Sequence, residues 1–239
     1  MCNLAGWVGS IDRKHVESLL LQSCGTFNDD ATGVALHLGS KISILKAPMS
    51  ASQFIDGRWR KWYGEKASKV LGGLIHTRLA TNGSPKDNRN NHPHVSLQGS
   101  ILVHKGIIQS ETHYEAKSAC DSEQLLHALD AKGLKEGVAS CSGWASIAYI
   151  SSKDPHKIWL YSSSGNIDLY VNNGYTLFAT SILVGFGKPL IHLTAGQWIG
   201  ISLSDRRFTW GPETKLLQPI VPTYFSYFNN SGQNWNWYH

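Results

Sequence analysis

Long apolar runs are missing from the sequence, and none approaches the roughly 20 residues of a membrane-spanning helix. The first twenty residues also lack the basic start and apolar stretch of a secretory signal, so the chain reads as cytoplasmic. Cysteine is scarce: Cys2, Cys24, Cys120 and Cys141 form no C-x-x-C pair and fall far short of the density of a disulfide-stapled secreted domain. Blocks of like charge are absent too. The formal net charge is +5, but the basic residues are scattered, which argues against a nucleic-acid-binding stripe. The densest cluster, Arg58-Trp59-Arg60-Lys61-Trp62-Tyr63, reads as an amphipathic helix with a solvated basic face, with base stacking as the other reading. No internal repeat or Pro/Gly-rich linker marks a boundary. A single α+β domain over residues 1–239 is the economical expectation, with a core over about 2–205 and an aromatic, Asn-rich extension over 206–239.

What is present suits a sizeable core: 41% of the 239 residues are hydrophobic and 16% charged. A strand-like run from Leu4 to Val8 precedes a helix-like stretch from Asp12, a candidate cap, to Cys24. Gly33 to Leu38 and Ile42 to Lys46 flank Gly39-Ser40 and read as a hairpin. Ser52 to Tyr63 has mixed helical periodicity, whereas Leu71 to His76 and Ile101 to His104 read as buried strands on either side of a polar surface loop, Asn82 to Asn91. Asp121 reads as the N-cap of a helix running to about Ala131. Beyond Gly143 come serial strands: Trp144–Ile150, Lys157–Tyr161, Ile167–Val171, Tyr175–Ala179 and Gln197–Ser202. Asp154-Pro155 and Asn172-Asn173-Gly174 supply turn residues between them.

Cys24, Cys120 and Cys141 sit beside apolar elements and read as small hydrophobes. Cys2 is different. Methionine is commonly removed ahead of a small second residue, which would leave a thiol and a free α-amine on one residue. An unperturbed α-amine has a pKa of roughly 7.7 to 8.0, so it can take the thiol proton as general base and later return it to a leaving amine.

Several segments follow in a telling order. Met1-Cys2-Asn3-Leu4-Ala5-Gly6-Trp7-Val8-Gly9 opens the chain, and Asp30-Ala31-Thr32-Gly33 comes after the first helix. His76-Thr77-Arg78-Leu79-Ala80-Thr81-Asn82-Gly83, Asn91-His92-Pro93-His94, Val103-His104-Lys105-Gly106-Ile107-Ile108 and Cys120-Asp121-Ser122-Glu123 complete the set. This order resembles the class II, N-terminal-nucleophile glutamine amidotransferases. Their corresponding motifs are Cys-Gly-Ile-x-Gly, Asp-Ser-x-Gly, His-Thr-Arg-Trp-Ala-Thr-His-Gly, Asn-x-His-Pro-His, Val-His-Asn-Gly-Ile-Ile and Thr-Asp-Ser/Thr-Glu. The resemblance is dense to Glu123 and afterwards rests on strand order.

The resemblance implies a four-layer αββα sandwich of two antiparallel sheets with outer helices. It implies hydrolysis of L-glutamine to glutamate and ammonia through a thioester at Cys2, without cofactor or metal. It also implies an ammonia-accepting synthase, here expected on another chain. Arg78 would grip the substrate α-carboxylate and Asp121 the α-ammonium, with Thr81, Asn82 and His92 lining the same pocket. Gly106 would bring its N–H to the oxyanion. Lys105 stands where the family carries the oxyanion-hole asparagine and is itself a catalytic candidate. If its stem folds back, its ammonium would donate to the developing charge and favour the Cys2 thiolate, while if it points to solvent the site would be slow. Asn3, Leu79 and Asn82 also depart from the pattern. Two further readings therefore stand beside the first: a glutaminase-like binding or regulatory subunit, and another N-terminal-nucleophile amide hydrolase. A zinc cluster of His76, His92, His94 and His104 is set aside, because each histidine falls at a motif position and no cysteine is close in sequence.

Overall fold

Alternation along the first strand sets the layering. In β1 (Asn3–Gly9) the side chains of Leu4 and Val8 enter one apolar cluster, and those of Ala5 and Trp7 enter another on the opposite face. A strand buried on both faces must lie inside a stack of layers. The computed structural model describes residues 2–214, and the aromatic stretch from Thr223 to His239 lies outside the described residues.

After β1 come α1 (Arg13–Cys24), β2 (Ala31–His37), β3 (Ile42–Ala47), α2 (Ala51–Phe54), a π-helical turn (Ile55–Trp59) and α3 (Arg60–Gly64). Then follow β4 (Gly72–Arg78), β5 (His94–Val95), β6 (Ile101–Ser110), α4 (Asp121–Ala139), β7 (Cys141–Ser151) and β8 (Asp154–Ser162). The described chain finishes with β9 (Asp168–Val171), β10 (Tyr175–Ala179), β11 (Ile191–His192), β12 (Gln197–Ser202) and β13 (Phe208–Glu213), so the sheet continues past the expected core edge near 205. One sheet has the order β11-β9-β10-β1-β4-β2-β3 and the other β13-β12-β8-β7-β6-β5, with every neighbouring pair antiparallel. Three apolar layers separate four structural ones. Leu19, Leu20, Phe54 and Trp59 from the helices pack on Trp7, Val34 and Ile75 of the first sheet. Leu4, Leu74 and Phe178 meet Val103, Leu160 and Ile199 between the sheets. Leu125, Leu126 and Leu129 of α4 cover Ile147, Tyr161 and Trp198 of the second. The αββα expectation holds.

Asp12 caps α1, its carboxylate accepting the His15 N–H at 2.9 Å. The mixed periodicity over 52–63 has a physical cause: the π turn inserts a residue and shifts the apolar face, so that Phe54, Trp59 and Tyr63 all point inward. Trp59 stacks on Tyr63 with centroids 4.8 Å apart, while Arg58, Arg60 and Lys61 are exposed. The buried rings of this segment are core, and its basic face is solvated.

Three expectations need correction. Asp121 is the first helical residue of α4, not its cap. Cys120 holds the cap position without a side-chain bond, and the Asp121 carboxylate instead accepts the Ile108 N–H of β6 at 2.9 Å. The helix also runs to Ala139 rather than Ala131, because two helical pieces join across Gly133, whose φ of 82° a glycine adopts without strain. Finally, Asp154 and Pro155 begin β8 instead of forming a turn, a place where proline's missing N–H is tolerated.

Candidate active site

The fold gathers the sequence-predicted residues at one end of the inner strands. Cys2 directly precedes β1, whose Asn3 is paired with Thr77 of β4, so the thiol lies beside the end of β4 where Arg78 stands. Gly106 comes from the middle of β6 in the facing sheet, and Asp121 from the first turn of α4 over that strand. Cys2, Arg78, Thr81, Asn82, His92, Gly106 and Asp121 line one cleft, together with Leu79, His104, Cys120 and Ser122. Its open space is about 20 Å³, on the order of one water.

Cys2 is half-buried and its thiol donates to the Leu79 carbonyl at 3.2 Å. Burial pushes its pKa up, with the Arg78 charge among the opposing effects. Arg78 is 3% exposed, and its guanidinium donates to Asn91 Oδ1 at 2.7 Å, to the Gly83 carbonyl at 3.0 Å and to the Asn82 carbonyl. The fork thus holds the 82–91 loop against the end of β4. Asp30 anchors the other side of that loop, accepting the Ala80 N–H at 2.7 Å.

Lys105 is the one expected site residue not among those lining the cleft. Its ammonium donates to Asn3 Oδ1 at 2.9 Å, so two departures from the family pattern touch each other across the sheets. Burial lowers the Lys105 pKa, and the Cys2 charge opposes that shift. Gly106 has no room for a side chain: a Cβ there would stand 2.1 Å from the Trp144 carbonyl and 2.6 Å from His104 Nε2.

Behind the cleft the motif histidines form a packed group. The His76 and His92 rings have centroids 3.9 Å apart, and His92 meets His94 edge-on at 4.5 Å. His104 pairs its Nδ1 with Ser122 Oγ at 2.8 Å and its carbonyl with His76 Nε2 at 2.9 Å. Burial depresses the pKa of all four, to about 3 for His76 and His94. Asn91, Ser122, Asp30 and Lys46 were visible as motif members or neighbours but carried no assigned role in the sequence. Lys46 Nζ donates to the Asn91 and Pro93 carbonyls at 2.6 and 3.1 Å and so pins the turn that bears His92 and His94. His92, His94 and Cys120 also place donor atoms within 4.8 Å of one another, a set that proximity in sequence hides.

No family model matches the chain. The chain is 28% identical over 226 residues to glutamine–fructose-6-phosphate aminotransferase (isomerizing) of Chlorobaculum tepidum, covering 82% of this chain and 35% of that one. It is 30% identical over 157 residues to the enzyme of the same name from Pyrobaculum aerophilum, covering 57% and 26%. It therefore spans about a quarter to a third of the length of these curated relatives. Among solved structures, the allosteric regulatory enzyme of purine biosynthesis superposes with a TM-score of 0.70 at 15% identity, over 90% of this chain and 50% of that one. Glutamine phosphoribosylpyrophosphate amidotransferase from B. subtilis, complexed with ADP and GMP, gives 0.65 at 15% identity over the same shares. Among the described residues, no helix is long and apolar enough to cross a membrane. With its motifs in order and its two antiparallel sheets between helices, the chain is similar in sequence to these aminotransferases and shares the fold of the solved amidotransferase structures.

Proposed function

We propose that this single domain hydrolyses L-glutamine to glutamate and ammonia at Cys2, and that a synthase on another chain takes the ammonia. The observation that carries the reading is the shared cleft: residues as far apart in sequence as Cys2, Arg78 and Asp121 line it together. After removal of Met1, the α-amine of Cys2 would accept the thiol proton and sulfur would attack the side-chain amide carbon. The Gly106 N–H would then donate to the oxyanion. Collapse would expel ammonia carrying the returned proton, and water would hydrolyse the thioester to glutamate.

Arg78 is proposed to hold the α-carboxylate and Asp121 the α-ammonium, with Thr81, Asn82 and His92 as pocket walls. A glutamine molecule is far larger than the present open space, so entry would exchange the Arg78 contacts to Asn82 and Gly83 for the substrate carboxylate and swing the loop outward. The four free cysteines, one of them the proposed nucleophile, suit a reducing cytoplasm.

The contact of Lys105 with Asn3 favours one rival, a slow or silent glutaminase-like subunit, because an ammonium so held need not donate to the oxyanion. One experiment separates the two. Protein from its native host should have a mass and N-terminal sequence beginning at Cys2, release ammonia from glutamine, and lose that activity with Cys2→Ala. If wild type is inactive and Lys105→Asn switches it on, the silent-subunit reading prevails. The gain would be about a hundred- to thousandfold, the worth of one oxyanion donor. A retained Met1 in that protein would end the mechanism.

A further inference from the structure

We propose that His92, His94 and Cys120 form a binding site for a borderline-soft divalent cation of the zinc class. Their donor atoms lie within 4.8 Å of one another, and all three residues are buried. A tetrahedral ion with about 2.3 Å to sulfur and about 2.0 to 2.1 Å to nitrogen holds its donors roughly 3.5 Å apart, so a contraction of about 1 Å closes the set. Rotation of an imidazole and of the thiol supplies that.

The imidazoles themselves point to a missing partner. Both ring nitrogens of His92 and Nε2 of His94 are buried without any hydrogen bond, though these residues are only 4% and 3% exposed. Buried polar atoms are ordinarily satisfied, and a lone pair left facing other donors is what a metal ion uses. The turn is pre-set, since Lys46 pins the carbonyls of Asn91 and Pro93 on either side of His92. Cys120 supplies what the four histidines lack in sequence, and it stands where the family's motif has threonine. Its thiol has Asp121 Oδ1 at 3.6 Å and Ser122 Oγ at 3.4 Å as acceptors, weak bonds that ligation would replace.

Binding is a proton exchange. The cation forms a bond to Cys120 sulfur, and the thiol proton leaves to solvent with no change of oxidation state. Lys46 and Arg78 add unfavourable charge to the neighbourhood, which the new thiolate and the Asp121 and Glu123 carboxylates oppose. Because His92 and Cys120 also line the Cys2 cleft, occupancy and glutamine turnover would exclude each other. That consequence rests on the glutaminase reading, whereas binding does not.

The test is a cobalt titration of the chelator-stripped full chain. One equivalent of Co²⁺ should produce a thiolate-to-cobalt charge-transfer band in the near ultraviolet and the visible bands of a four-coordinate ion. About one proton should leave as the Co²⁺ binds, and Zn²⁺ should then displace it and bleach both bands without further proton release. Cys120→Thr should remove the charge-transfer band, Cys2→Ala should keep it, and His94→Gln should weaken binding by about 100-fold or more, beyond the 10- to 100-fold typical of an outer-shell loss. No uptake by the wild type, a band that survives Cys120→Thr, or a band lost with Cys2→Ala would overturn the site. If Cys120→Thr does not fold, Cys120→Ser and His94→Gln decide by the same band. Inhibition of ammonia release by Zn²⁺ is read separately, so an inactive enzyme that binds cobalt leaves the site standing.

Discussion

Four imidazoles packed in and behind one cleft make the folded chain sensitive to acid. In the unfolded chain a histidine titrates near 6.5, whereas burial holds His76 and His94 at about 3 and depresses His92 and His104 as well. Between those values the unfolded state binds more protons than the folded state, so stability falls as pH drops from about 6.5 towards 3, by up to about 1.4 kcal/mol per pH unit for each histidine. His94→Gln should flatten that slope by about one histidine's share. Urea unfolding at pH 7 and pH 5 checks it, and an unchanged difference between the two pH values in the variant would refute the assignment. At this scale the sequence was informative about identity and silent about company. The motifs named Cys2, Arg78, His92, Gly106 and Asp121, and the fold brings them to one cleft. The engagement of Arg78 with Asn91 and the nearness of Cys120 to His92 and His94 arise from loop geometry that no local pattern encodes.

Elements were legible where a local signal and a tertiary one agree. Asp12 before an apolar-periodic run predicted the start of α1, and the Asp12 carboxylate caps it. Asp12→Ala should lower stability by about 1 kcal/mol and leave ammonia release untouched, because the position is remote from the Cys2 cleft. A shift in the urea midpoint measures it, and no shift would mean the cap contributes nothing. The exposed ion pair of the same carboxylate with His15 adds little. Elements were lost where partners decide. β6 continues beyond His104 to Ser110 although Lys105, Gly106 and Gln109 break the apolar run, because β7 pairs with it residue by residue from Ile101↔Ile150 to Ser110↔Cys141. The two-residue strands β5 and β11 exist only as additions to β6 and β9. The π turn before α3 could be seen in the sequence only as a disturbed period.

Across the whole molecule, the contact between Asn3 and Lys105 links one sheet to the other beside Cys2. Asn3→Gly alone leaves a half-buried ammonium without its acceptor, and Lys105→Asn alone leaves a carboxamide without its cation. The paired exchange should therefore cost less than the sum of the single ones, with a coupling of about 0.5 to 3 kcal/mol in a double-mutant cycle on thermal stability. Strict additivity would show that the contact carries no energy. The layered fold was legible because strand periods and ordered motifs point the same way, whereas this link joins positions 102 residues apart. The position of β1 has a last consequence, for biosynthesis. Strand β1 is flanked by β4 on one side and β10 on the other, and its second neighbour begins only at Tyr175. Until then one edge of the strand next to Cys2 stays unpaired, and the cleft end of that strand cannot be completed before most of the described chain has been made.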